Sequence, residues 1–240
     1  MNPGRLYLLP NTLGDVAIND TMPLPVAQIA ARLTYLVGEN AKSTRAYLKR
    51  VAAVTPLAKP IQEIMISELD VNTPDQLLAN LLAPILAGQD GGIVSEAGVP
   101  AVADPGARLV ALAHTHDVEV IPLVGPSSLL LALMASGLNG QRFTFYGYVP
   151  TDAATRASTL KKLEERSRKE KETQILIETP YRNGALFDAL INILQARTRL
   201  CVATDLTLPS QQIRTLAISQ WKKQRPAFDK KPTVFLFLAD

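Results

Sequence analysis

The stretch Ser95-Glu96-Ala97-Gly98-Val99-Pro100-Ala101-Val102-Ala103-Asp104-Pro105-Gly106 decides the fold. It follows a short apolar run, Gly92–Ser95, that reads as a strand, and it precedes a helical pattern over Gly106–His116. Two glycines, two prolines and two carboxylates fall within these twelve residues. Glycine admits close backbone approach and proline fixes the path of the chain. Backbone amides and small side chains in such a loop are suited to a small polar ligand. Asp104 also reads as a cap for a helix with Pro105 in its first turn. The two readings are compatible.

Outward from this loop, strands and helices alternate. Leu6–Leu9, Thr34–Val37, Glu63–Ser67 and Glu119–Leu123 read as strands. Ala41–Ala53 and Pro74–Ala87 read as helices, the second with Thr73 as its N-cap. This spacing predicts a mostly parallel sheet with helices on its faces. Further on, Leu129–Ser136 reads as a helix closed by Gly137, and Arg142–Tyr148 as a strand. Thr155–Glu172 and Asn183–Gln195 read as helices, and Gln174–Glu178 as the strand between them. Leu200–Thr204, Gln212–Leu216 and Thr233–Leu238 read as strands, the first two with little helix between them, so a mixed sheet is expected. The break between two α/β domains is placed at Pro122–Gly125, giving domains over 1–122 and 123–240.

In parallel α/β sheets the carboxyl ends of strands face the ligand crevice. Four segments with turn chemistry follow predicted strands: Leu9-Pro10-Asn11-Thr12-Leu13-Gly14-Asp15, the loop from Ser95 to Gly106, Val124-Gly125-Pro126-Ser127-Ser128, and Glu178-Thr179-Pro180-Tyr181-Arg182. Neither a Walker nor a dinucleotide-binding glycine fingerprint is present, and Gly-x-Ser-x-Gly is absent. His114 and His116, the two histidines, lie two apart, where they do not share a helix face, so they make a poor metal pair. The single cysteine, Cys201, excludes an intramolecular disulfide and sits in an apolar strand, where it reads as buried and inert.

The chain has 240 residues, 47% of them hydrophobic and 20% charged, enough apolar material for a sizeable core. No apolar run approaches the roughly 18 residues of a membrane span. The apolar stretch Leu6–Leu9 before Pro10 is shorter than the roughly 7 residues of a signal-peptide core. A soluble, cytoplasmic protein is expected. Net charge is +3, unevenly spread. Residues 1–122 carry 8 Lys/Arg against 12 Asp/Glu, whereas residues 123–240 carry 17 against 10. A basic second half suits an anionic partner. The charged helix from Lys161 to Glu172 explains little of that excess, with six positive and four negative residues. The rest includes Arg182, Arg197, Arg199, Arg214, the tail Trp221-Lys222-Lys223-Gln224-Arg225, and Lys230-Lys231.

Taken together, the four segments resemble the tetrapyrrole methylase superfamily of S-adenosylmethionine-dependent methyltransferases. Within it they are most similar to the branch that methylates a ribose 2′-hydroxyl of small-subunit ribosomal RNA. Pro10-Asn11-Thr12-Leu13-Gly14-Asp15 stands where that branch has Pro-Thr-Pro-Ile-Gly-Asn. Ser95–Pro100 and Ala103–Gly106 match Ser-Asp-Ala-Gly-Thr-Pro and Ser-Asp-Pro-Gly. Val124–Ser127 with Ala135-Ser136-Gly137-Leu138, Arg142–Pro150, and Ile177–Arg182 match three further motifs. Three departures bear on the substrate. Glu39–Arg45 is one residue longer than its counterpart and lacks the Asp, Glu96 replaces Asp, and Tyr181 replaces His. The chain also stops at Asp240, without the C-terminal extension usual in that branch.

The resemblance implies two α/β domains with the cofactor in the cleft between them, and a homodimer. It places Pro10, Ser95, Ala97, Gly98 and Val102 against S-adenosylmethionine, with Ser127, Ser128, Glu178, Thr179 and Pro180 completing the set. Methyl transfer to a weakly acidic hydroxyl is aided by a base, for which Glu96, Asp104 and Glu178 are the candidates. Arg45 and Arg182 are candidate phosphate contacts. The implied partner is ribosomal RNA or the small ribosomal subunit. A tetrapyrrole or other small-molecule acceptor, or a noncatalytic S-adenosylmethionine-binding role, stays open at this level.

Overall fold

The computed structural model describes residues 2–226, 228 and 230–240. The chain divides into two compact units, residues 1–127 and 128–240. The last strand of the first unit ends at Pro122, and residues 123–127 stay with that unit.

The first unit contains five short strands: β1 (Leu6–Leu9), β2 (Tyr35–Gly38), β3 (Met65–Glu68), β4 (Gly91–Val94) and β5 (Val120–Pro122). They form one parallel sheet in the order β3-β2-β4-β1-β5. Helices α1 (Leu24–Arg32), α2 (Ala41–Ala52), α3 (Asp75–Leu86) and α4 (Gly106–Thr115) connect them.

Strand alternation sorts the core onto two faces. Tyr7, Leu9, Leu36 and Val94 pack with Val26 and Ala30 of α1 and Tyr47, Leu48 and Val51 of α2. Leu6, Tyr35, Val37 and Ile93 pack with Leu78, Leu82 and Ile85 of α3 and Leu109 and Ala113 of α4. The chain therefore moves from β1 outward to β3 with helices on one face. It returns through β4 to β5 with helices on the other. Direction and face reverse together, so both runs share one crossover hand, which the general rule for parallel strands makes right-handed. The connections leaving the adjacent strands β1 and β4 thus depart to opposite faces, which opens a crevice beyond their carboxyl ends.

The sequence reading leaves residues 16–33 unassigned, and α1 lies there. Pro23 precedes it and Pro25 falls in its first turn, where the missing N–H removes no helix bond. Thr73, expected to cap α3, does not. Its hydroxyl donates to Asp70 Oδ1 at 2.8 Å, and Pro74 takes the N-cap position. The strand expected at Glu63–Ser67 begins at Met65, because Ile61–Glu63 forms a 3-10 turn.

The second unit contains α5 (Ser128–Ser136), β6 (Phe143–Gly147), α6 (Ala153–Glu170), β7 (Thr173–Ile177), α7 (Asn183–Ile193), β8 (Arg199–Thr204), β9 (Gln212–Ala217), α8 (Ile218–Trp221) and β10 (Thr233–Leu238). The sheet order is β6-β7-β10-β8-β9, with β6 and β7 parallel and the other pairs antiparallel, a mixed sheet as expected. Phe235 and Phe237 of β10 bury against Leu160, Leu186, Phe187, Leu190 and Trp221. Helix α5 covers the sheet opposite, against β8, β9 and β10. The charged helix keeps its interior side apolar through Leu160 and Leu163, and Asp152 caps it by accepting the Thr155 N–H at 2.8 Å. Cys201 is buried in β8, and burial pushes its thiol up. Among the described residues, no helix is long and apolar enough to cross a membrane.

Helix α2 follows directly from the carboxyl end of β2, and Asn40 starts it by accepting the N–H groups of Lys42 and Ser43. Asn40→Ala is expected to cost about 1 kcal/mol, while Asn40→Ser stays near the parent. Urea unfolding of the two variants checks this.

Candidate functional site

The site in the first unit is built from the residues that leave β1 and β4. Asn11 and Gly98 exchange backbone hydrogen bonds, Asn11 N–H to Gly98 O at 2.8 Å and Gly98 N–H to Asn11 O at 3.2 Å. The Asn11 amide, itself buried, donates to the carbonyls of Ser95 and Glu96 at 3.0 Å each. Its Oδ1 accepts from Arg50 Nη2 at 2.8 Å and from the Thr12 N–H at 2.9 Å. Asn11 lies in a segment that the sequence singled out, yet it was not among the candidate site residues. Its signal was an amide directly after a strand, where a side chain can mimic backbone.

The loop from Ser95 to Gly106 is held in an uncommon path. Gly98 has φ +73°, and a Cβ there would come within 3.2 Å of Leu13 Cδ2 and 3.4 Å of the Pro126 carbonyl. Ala101 and Ala103 also occupy the left-handed region, at φ 64° and 60°. Such residues are costly and persist where surrounding bonds hold them. Asp104 supplies those bonds. Both of its oxygens accept the Ala101 N–H at 2.9 Å, and Oδ1 also accepts the Gly106 N–H at 2.7 Å. Ser95 donates to the Ala97 carbonyl at 3.1 Å. Ala97, Glu96 and Val102 are exposed on this loop, whereas Ser95 and Gly98 are buried.

The third segment joins the same place. A Cβ on Gly125 would fall 2.1 Å from Pro10 Cβ, so the buried Pro10 is in close backbone contact with the Val124–Ser127 turn. Pro10, Asn11, Gly98, Gly125 and Pro126 therefore form one cluster beyond β1 and β4. Ser127 is partly exposed at the end of the first unit, and Ser128 opens α5 in the second.

Acidic groups border a small cavity over the ends of β2 and β4, beside that crevice and lined by Gly38, Glu39, Ser95 and Asp104. Burial pushes the Glu39 carboxyl up. The Glu96 N–H pulls it back, and neighbouring Asp104, Glu96 and Asp70 push it further up. Burial also raises Asp104, against the pull of the Gly106 and Ala101 N–H groups. Ser43 of α2 donates to the Glu96 carboxylate, which links the altered Glu39–Arg45 segment to the β4 loop. Arg45 is exposed on α2 and makes no ion pair among the described residues.

Glu178 ends β7 in the second unit. Its side chain is 2% exposed and pairs with Arg182 Nη2 at 2.5 Å. Its Oε2 accepts the Thr179 N–H at 3.0 Å, and the Arg182 N–H donates to the Thr179 carbonyl at 2.8 Å. The turn through Thr179 and Pro180 is thus internally tied, with Thr179 exposed and Pro180 partly so. Among the described residues, no group of three or more His, Cys, Asp or Glu is placed to hold a metal ion.

The chemistry of these groups fits S-adenosylmethionine. The loop offers backbone and small side chains at close range, and the carboxylates at its border are complementary to a sulfonium and an ammonium.

No family model matches the sequence. The chain is 33% identical over 209 residues to ribosomal RNA small subunit methyltransferase I of Synechocystis sp., across 87% of this chain and 69% of that protein. It is 29% identical over 205 residues to the protein of the same name from Xylella fastidiosa, across 85% and 69%. Among solved structures it resembles the methyltransferase CobJ, with a TM-score of 0.64 at 18% identity, covering 98% of this chain and 94% of that one. It also resembles uroporphyrin-III C-methyl transferase from Thermus thermophilus complexed with S-adenyl homocysteine, with a TM-score of 0.56 at 16% identity, covering 98% and 97%. The structural likenesses show the tetrapyrrole methylase fold.

Two variants test the geometry. Asn11→Ala strands two loop carbonyls and the Arg50 donor, and is expected to lower stability by about 2 kcal/mol in chemical denaturation. Glu39→Gln removes a carboxylate whose folded-state pKa is raised. Below its ordinary value the group is protonated in both states and costs nothing. Above the raised value it is charged, and the folded state bears the penalty. Glu39→Gln is therefore expected to raise Tm at pH 7 to 8 and to leave it unchanged near pH ~4.

Proposed function

The chain belongs to the ribosomal RNA small subunit methyltransferase I family, and from that premise we propose that it transfers a methyl group from S-adenosylmethionine to a ribose 2′-hydroxyl of small-subunit ribosomal RNA. The observation that carries this reading is 33% identity across 87% of the chain. The strained loop at the ends of β1 and β4 supports it.

Bound S-adenosylmethionine supplies a methyl group already activated on a positive sulfonium. The chain's own part is to bind, orient and manage the acceptor proton. Ser95, Ala97, Gly98 and Val102 would lie against the cofactor, with Pro10 and Asn11 holding the loop in shape. Ser127, Ser128, Glu178, Thr179 and Pro180 complete the proposed cofactor set. Glu39 and Asp104 place negative charge beside the crevice, which favours a cationic ligand.

The acceptor hydroxyl loses its proton as the carbon–oxygen bond forms, so a nearby base aids attack. Asp104 has both oxygens on loop amides, and Glu178 is paired with Arg182. Glu96 is exposed and accepts the Ser43 hydroxyl. Proton acceptance is therefore assigned to Glu96, with Asp104 and Glu178 as positioning groups. Arg45, free of an ion pair among the described residues, suits an RNA phosphate. Arg182 commits one nitrogen to Glu178 and offers the rest of its fork. A cytoplasmic homodimer acting on the small subunit or its RNA completes the proposal.

The test supplies purified small ribosomal subunits with radiolabelled S-adenosylmethionine. Incorporation at a ribose, protecting the adjacent linkage from alkali, is the expected result. Glu96→Gln is expected to lower kcat about 100-fold or more while cofactor affinity stays within about threefold. Methylation of a corrin precursor in place of RNA would overturn the reading. So would cofactor binding with no turnover on subunits or their RNA.

A further inference from the structure

The positive charge of the second half is unevenly deployed. On α6 and its neighbours, cations alternate with carboxylates and pair with them: Arg142 with Glu170 at 3.1 Å, Arg166 with Glu172 at 3.0 Å, and Arg168 with Glu164 at 3.9 Å. Along Lys161–Glu172 four carboxylates stand among six cations, so the positive charge of that surface is partly offset. Residues 206–228 differ, with Arg214, Lys222, Lys223 and Arg225 and no Asp or Glu.

These four cations share one region of the second unit. Strands β8 and β9, the second an edge strand, and the segment after α8 enclose a groove of about 270 Å³. Val202, Trp221 and Pro226 give it an apolar lining, and Arg214 and Arg225 supply its charge. Arg214 Nη1 donates to the neutral Gln224 Oε1 at 2.9 Å, which orients the guanidinium without cancelling its charge. Arg225 pairs with Asp188 at 2.6 Å and lies over the rings of Phe187 and Phe228. Lys222 and Lys223 stand exposed between two residues that line the groove, and neither makes an ion pair among the described residues. Arg214, Lys222 and Lys223, unpaired with carboxylates among the described residues and beside a concave surface, form an electrostatic footprint for a phosphate backbone.

We propose that the β8–β9 groove of the second unit, with Arg214, Lys222 and Lys223, is a docking surface for the backbone of the RNA substrate. The proposal rests on the RNA reading above and adds to it a place and a chemistry of contact. Guanidinium and ammonium groups bind phosphates of any sequence, so this surface supplies affinity and position, and base identity is read elsewhere.

The test measures binding of a fluorescent single-stranded oligoribonucleotide and of purified small ribosomal subunits over a range of salt. The triple variant Arg214→Gln/Lys222→Gln/Lys223→Gln is compared with Lys161→Gln/Lys162→Gln/Lys169→Gln, which removes equal charge from α6. The first is expected to weaken binding at least about tenfold at 0.1 M salt and to reduce the log–log salt slope by about 2. The α6 variant is expected to stay within about twofold of the parent. The charge-preserving variant Arg214→Lys/Lys222→Arg/Lys223→Arg is expected to restore the slope. Unchanged S-adenosylmethionine affinity and Tm in the first variant show that the loss is one of docking. Equal losses in both glutamine variants, or no loss in the first, overturn the docking surface while leaving the RNA reading intact. A parent protein that binds and methylates neither subunits nor their RNA overturns both.

Discussion

Two backbone hydrogen bonds between Asn11 and Gly98 tie the chain where it leaves β1 to the chain where it leaves β4. These strands are neighbours in the sheet, but their connections run to opposite faces. Left alone, the two loops would diverge and the crevice would be open and mobile. The tie holds them at ladder distance, and the Asn11 side chain extends it to the Ser95 and Glu96 carbonyls. Positive φ at Gly98, Ala101 and Ala103 is tolerable because the loop is pinned at one end by Asn11 and at the other by Asp104. Strain is thereby concentrated where a ligand needs close backbone approach.

The second unit is organised by a different balance. Its core is aromatic, with Phe187 edge-on to Trp221 at 5.7 Å and packed on Phe228 at 5.4 Å. Buried charge there is matched locally. Glu164, 5% exposed, accepts the Gln195 N–H at 2.7 Å as well as the Thr198 hydroxyl. Glu178 is held by Arg182 and by the Thr179 N–H. Carboxylates satisfied in this way stabilise turns, and they leave Arg214, Lys222 and Lys223, which make no ion pair among the described residues, as an outward electrostatic feature of the unit.

Much of the fold was legible because the strands are short apolar runs closed by turn residues and the helices carry caps. The parallel and mixed sheets follow from that rhythm. Residues 16–33 were not legible, since prolines at 23 and 25 look like breaks until the helix is seen to begin with them. Thr73 had the chemistry of a cap but spends its hydroxyl on Asp70. At the site, the four segments stood out through glycine and proline spacing, and three of them meet in the first unit. The part played by Asn11 was not legible, because its partners Arg50, Ser95 and Glu96 lie 39 to 85 residues away. Likewise, the Ser43–Glu96 contact joins two departures from the family pattern that look unrelated along the sequence.

Strand β1 has a further consequence, in the timing of synthesis. It pairs with β4 and β5 and with no other strand of the sheet. Its first partner begins at Gly91, so more than 80 residues are made before β1 has anywhere to pair. Strands β2 and β3 can join beforehand, since they are adjacent and share a crossover. Strand β1, fourth of five in the sheet, therefore joins late, once β4 has been made, and β5 then adds beyond it. Parallel pairings across such separations are slow to form and expose apolar edges meanwhile. During that interval Leu6, Tyr7, Leu8 and Leu9 form an apolar segment without a strand partner, which must stay unpaired until Gly91–Val94 is made.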